Sequence, residues 1–97
     1  MLVTPGPDLR YLTGYDAVPL ERLTCLVLPV GAAPVLVVPE LEHPAALASP
    51  AADLEMVVWG ETDDAIRRTV DVASGLAGPL TTVAVDDRMW AEKVLRL

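Results

Sequence analysis

Apolar and polar positions along this chain mark out a series of short strands and helices. Met1-Leu2-Val3-Thr4 reads as a strand that runs straight into Pro5-Gly6-Pro7-Asp8, a dense turn signal. Asp8 is placed to cap a short helical turn over residues 9–12, and Gly14 to break it. Two apolar runs follow, 23–28 and 35–38, around a loop holding Pro29, Gly31 and Pro34. That arrangement predicts a β-hairpin. Both runs are apolar on both faces, which predicts central strands covered on each side. Pro39 ends the second strand, because it cannot donate to a ladder.

Further on, Pro44 suits the first turn of a helix over 44–48, and Ser49-Pro50 stops it. Residues 54–59 read as a strand ended by Gly60. Thr62 is an N-cap candidate, with Asp63 and Asp64 complementing the helix dipole behind it. Ile66, Val70, Ala73 and Ala77 then recur at helical spacing, with Arg67, Arg68 and Asp71 on the other side. Gly78 and Pro79 end that helix. Residues 81–85 predict another strand. Asp86 or Asp87 is expected to cap a last helix over 89–97, with Trp90, Val94 and Leu97 as its apolar stripe. Strands interleaved with helices predict an α/β class with a mixed central sheet flanked by helices, as one domain over residues 1–97. A strand beginning at the first residue suggests that the chain starts partway through a natural domain.

Composition sharpens this picture. The chain has 97 residues, 53 % of them hydrophobic, with no Phe and only 4 % aromatics, so the core has to be aliphatic. Seven basic residues against 14 acidic ones give a net charge of -7. A nucleic-acid binder needs a basic face, and anionic lipid needs a polybasic patch, so neither partner is expected. The apolar stretch 23–41 is interrupted by Pro29, Gly31, Pro34 and Pro39, which argues against a membrane span. Cys25 is the single cysteine and sits in an apolar run, as a buried small hydrophobe would. This usage fits a reducing cytosol, and a cytoplasmic location is expected.

Few residues declare chemistry. Glu40, Glu42 and His43 invite a metal reading, but their spacing converges neither in a helix nor in a strand, and a solvated acidic helix start explains them better. Cys25 with His43 lacks the orienting third group of a nucleophilic pair. Val83-Ala84-Val85-Asp86-Asp87 resembles the acidic pair that ends a first strand of phospho-receiver domains, where a third carboxylate joins it on a divalent cation, but only ten residues follow, too few for the rest of that fold. Capping of the last helix accounts for the pair more simply. There is no phosphate-cradling glycine loop and no nucleophile elbow. The segment 8–16 is different. It gathers Asp8, Arg10, Tyr11, Tyr15 and Asp16 around Gly14, as a binding rim on a loop does. The competing view is a turn whose tyrosines cover a sheet edge while Arg10 snorkels.

Pro7-Asp8-Leu9-Arg10-Tyr11-Leu12-Thr13-Gly14-Tyr15 resembles the N-x-R-Y-L-T-G-F/Y segment of the creatinase/prolidase N-terminal domain. Pro34-Val35-Leu36-Val37-Val38-Pro39 is similar to that family's P-x-L-V-V-P strand, and the likeness continues through Val57-Val58-Trp59-Gly60 and 83–89. Asp8 stands where the family often has Asn. A first helix and a complete first strand, usual in the family, are missing before Leu2. The resemblance implies the non-catalytic N-terminal domain of a two-domain Xaa-Pro aminopeptidase or dipeptidase. It implies no catalytic residue and no metal ligand on this chain. Two divalent cations (Mn, Co or Zn) would sit in the C-terminal domain. By position, Asp8, Arg10, Tyr11, Tyr15 and, more remotely, Trp59 become substrate-rim candidates. The implied partners are that catalytic domain, a peptide substrate and further copies of the chain. A creatinase-like amidinohydrolase and a stand-alone α/β interaction module are the rival readings. Without the first helix, one sheet face is expected to expose Leu and Val and to drive self-association.

Overall fold

The computed structural model describes residues 1–19, 22–78 and 82–97. Its centre is a four-stranded sheet in the order β1 (Leu2–Val3), β2 (Cys25–Val27), β3 (Val35–Pro39), β4 (Glu55–Trp59). β1 to β3 are antiparallel, with Leu2 opposite Val27 and Leu26 opposite Leu36. β4 runs parallel to β3, pairing Val35 with Glu55 and Pro39 with Trp59. The sheet is therefore mixed, as expected, and residues 35–39 complete a hairpin with β2. A parallel pair needs a crossover. Here it is made by a 3₁₀ turn (Glu40–Glu42), α2 (His43–Leu47) and a second 3₁₀ turn (Pro50–Asp53). Ser49 starts that last turn, its hydroxyl accepting from the Ala51 amide at 3.1 Å.

The period-2 geometry of strands sorts these apolar residues onto two faces. Val3, Leu26, Leu36 and Val38 point to one side, where Leu9, Tyr15, Ala46 and Ala51 cover them. Leu2, Cys25, Val27 and Val37 point to the other, against Trp59, Ile66 and Ala73. The first cover is α1 (Pro7–Thr13) with the crossover; the second is α3 (Ala65–Ala77). Both sheet faces are thus closed, and every residue of β1 to β3 is buried. This corrects the expectation of an exposed Leu and Val face. Among the described residues, the exposed large hydrophobics lie instead on loops and short helices, Val30, Tyr11 and Leu95 foremost. Each Leu or Val so buried contributes about 1.5–3 kcal/mol, enough for an aliphatic core without Phe.

Several local expectations shift. Gly6 precedes α1, and Asp8 lies inside its first turn rather than at its cap. Asp64, not Thr62, caps α3, its Oδ1 accepting from the amides of Ile66 at 3.1 Å and Arg67 at 3.2 Å. Asp63 instead closes the turn after β4, accepting from Gly60 at 2.8 Å. On α3, Ile66, Thr69 and Ala73 form the buried stripe while Val70 is half-buried. The side chain of Ala77 lies outside the described ones, as does Pro79. The strand expected over 81–85 is reduced to a parallel bridge between Val85 and Leu2, and Thr81 lies outside the described residues. α4 (Ala91–Arg96) starts after Trp90, so neither Asp86 nor Asp87 caps it. Its expected stripe is open: Trp90, Val94 and Leu97 are each at least 40 % exposed. Among the described residues no helix is long and apolar enough to cross a membrane.

Candidate functional site

The segment from Gly6 to Asp16 is held by its own backbone chemistry. Pro7 sits in the first turn of α1, where its missing N–H costs nothing. Gly14 ends the helix at φ 76°, its amide donating to the Arg10 carbonyl at 2.8 Å. A Cβ at Gly14 would lie 2.6 Å from Pro50 Cβ, so the turn needs glycine for space as well as for φ. The Thr13 hydroxyl donates to the Leu9 carbonyl at 2.8 Å and accepts from the Tyr15 amide at 3.0 Å. The Leu-Thr-Gly-Tyr stretch is therefore a helix terminator that directs Tyr15 inward.

The five sequence candidates do not form one site. Arg10 and Tyr11 line an open groove of about 510 Å³ together with Pro7, Asp16 and Pro19. Tyr11 is 88 % exposed there. Tyr15 is buried in the core beneath it, and burial together with the nearby Glu42 carboxylate raises its pKa. Trp59 is buried on the opposite face of the sheet, its indole Nε1–H donating to the Leu23 carbonyl at 2.9 Å. One flank of the ring borders a second depression, shared with Arg22, Glu40 and Glu61. Asp8 is exposed and belongs to a third place, where its carboxylate meets those of Asp86 and Asp87. Asp16, part of the same sequence cluster, turns out to be a groove residue.

What the groove offers is recognition. A guanidinium, a phenol and a carboxylate suit an anionic group, an apolar ring and a cationic group respectively. None of the groove residues is a nucleophile with an adjacent base. Cys25 is fully buried, and desolvation pushes its pKa up to about 12, so it is held as an inert thiol. His43 is half-buried at the start of α2, whose Ala46 packs on the sheet face opposite to that of Cys25.

Residues 1–96 match the family model described as the creatinase/prolidase N-terminal domain. A protein named probable dipeptidase PepE in Mycobacterium tuberculosis is 42 % identical over 99 aligned residues, covering all of this chain and 26 % of that protein. The crystal structure of dipeptidase PepE from Mycobacterium ulcerans superposes with a TM-score of 0.84 at 41 % identity, over 98 % of this chain and 25 % of that one. The creatinase/prolidase N-terminal domain of an X-Pro dipeptidase from Streptococcus pyogenes shares the fold, with a TM-score of 0.71 at 23 % identity, over 97 % of this chain and 74 % of that one. The chain thus spans about a quarter of the length of the full-length relatives it matches.

Proposed function

This chain belongs to the creatinase/prolidase N-terminal domain family, and on that premise we propose that it is the non-catalytic N-terminal domain of a metal-dependent Xaa-Pro peptidase. The observation that carries the reading is the match of essentially the whole chain to one quarter of proteins named dipeptidases. On this reading the remaining three quarters hold the chemistry. Two divalent cations bound there would polarise the scissile carbonyl and activate a water.

The domain's own part is to cover the mouth of that site. The groove at Arg10, Tyr11 and Asp16 presents groups that match a short peptide: a cation for its carboxylate, a ring for its proline and a carboxylate for its amine. A rim of this kind limits entry to short substrates and keeps water out during reaction. Tyr15 serves it from below, its amide donating to the Thr13 hydroxyl across the Gly14 turn. Exposed apolar residues on α1 and α4, Leu12 and Leu95 among them, are the surface for the catalytic domain and for further copies of the chain.

The test is steady-state kinetics of the full-length protein with Xaa-Pro dipeptides. Tyr11→Ala and Arg10→Ala are expected to raise KM several-fold while leaving kcat within about a factor of two, because they remove binding rather than chemistry. Unchanged kcat/KM in both variants would remove the groove from the substrate path.

A further inference from the structure

Asp8 and Asp86-Asp87 are far apart in sequence but meet in the fold. The bridge from β1 to Val85 brings them together: the Leu2 amide donates to the Ala84 carbonyl at 2.8 Å and the Asp86 amide to the Leu2 carbonyl at 3.1 Å. One carboxylate oxygen from each of Asp8, Asp86 and Asp87 then lies within 4.8 Å of the other two. Three like charges this close repel strongly unless something positive sits among them.

The middle carboxylate supplies the second observation. Asp86 is only 5 % exposed. Its Oδ1 is fully used, accepting from the Thr4 amide at 3.1 Å and the Thr4 hydroxyl at 3.0 Å. Its Oδ2 is buried and has no hydrogen-bond partner among the described residues. A buried carboxylate oxygen without a partner is costly, and native folds pair such groups with a donor, a cation or a metal. Among the described residues, the neighbouring Arg88 makes no ion pair with these three carboxylates. Helix capping does not explain the pair either, since α4 begins after Trp90.

We propose that Asp8, Asp86 and Asp87 bind a hard divalent cation, with Ca²⁺ the best fit. Carboxylate oxygen is the donor that hard cations prefer. Ca²⁺ accepts several carboxylates in a flexible geometry, whereas Mg²⁺ demands a near-ideal octahedron and gives up its waters reluctantly. Asp86 Oδ2 is the inner ligand, and the exposed Asp8 and Asp87 leave the outer side to water. The bound ion would tie the start of α1 to the segment after Val85 and so brace the base of the groove at Arg10 and Tyr11.

Isothermal titration calorimetry and thermal melts of the chelator-treated 97-residue chain test this, with Ca²⁺, Mg²⁺ and Mn²⁺ as separate probes. Saturable uptake of one Ca²⁺ per chain is expected, with Tm rising on the order of 6 °C at tenfold excess over Kd. Asp8→Asn and Asp86→Asn should each weaken uptake at least about tenfold, since each deletes one charged ligand. Asp86→Asn keeps an oxygen for Thr4. Asp8→Asn changes only an exposed side chain, so it remains informative should the first variant unfold. No heat and no shift up to millimolar concentrations of all three cations would overturn the proposal. So would an equal rise in Tm with K⁺ at matched ionic strength, or undiminished Ca²⁺ affinity in Asp8→Asn.

Discussion

Replacing Gly14 by alanine isolates the reason this turn requires glycine. Two costs are superposed there. The backbone sits at φ 76°, where a side chain costs roughly 1–2 kcal/mol. The added Cβ also lands 2.6 Å from Pro50 Cβ and 2.8 Å from Pro50 Cγ, closer than carbon atoms approach. Relieving such an overlap by moving a packed loop costs about 1–3 kcal/mol. The sum is about 3 kcal/mol, a large share of the roughly 5–15 kcal/mol available to a domain of this size. Gly31 provides the control. It has φ 80°, and a Cβ there meets nothing within 4 Å, so Gly31→Ala carries the backbone cost alone. Urea titration followed by circular dichroism should lower the midpoint for both variants at constant m, with Gly14→Ala losing about twice as much or more. Equal losses would mean that the Pro50 contact yields freely, and the steric half of this reasoning would be wrong.

Other consequences are open to direct measurement. Cys25 should resist a thiol reagent at pH 8 in the native protein and react fully once denaturant is added, because burial keeps it protonated. Both Cys25 and Tyr15 have pKa values raised by folding, so each contributes stability that is complete below its unfolded pKa and is lost as pH climbs towards its folded one. For Cys25 that window runs from about 9 to about 12, and for Tyr15 it opens at about 10. Urea midpoints should therefore fall steadily above pH 9, and less steeply in Tyr15→Phe. Trp59→Phe leaves the Leu23 carbonyl buried without its donor and should cost about 1–3 kcal/mol in the same titration. A loss below 0.5 kcal/mol would show that the indole hydrogen bond contributes little.

Much of the architecture is legible in the order of residues. Short apolar runs punctuated by Pro and Gly mark β2, β3 and β4, and Gly14 and Gly78 mark two helix ends. What the runs could not reveal is which face each residue takes, since Val and Leu occupy both. On β4, Met56 and Val58 pack on one face and Val57 and Trp59 on the other, and because all four are apolar the sequence does not show that Trp59 goes into the core. Cap positions were ambiguous for a local reason. Thr62, Asp63 and Asp64 are all competent, and the turn after Gly60 decides among them by engaging Asp63. The role of Asp86 was hidden for the opposite reason. Its partner Thr4 lies 82 residues away, and only the fold brings them together. The candidate rim was legible as a cluster along the chain, but its division into a groove, a buried tyrosine and an acidic corner depends on the course of α1.

The central claim, a non-catalytic domain of a peptidase, is tested most directly by assaying two preparations side by side. These are the full-length protein and the purified 97-residue chain, each with Xaa-Pro dipeptides and Mn²⁺ or Co²⁺. Turnover by the full-length protein and none by the isolated chain is the expected result. Hydrolysis by the isolated chain would contradict its non-catalytic role, and a full-length protein inert towards every Xaa-Pro substrate would contradict the peptidase assignment.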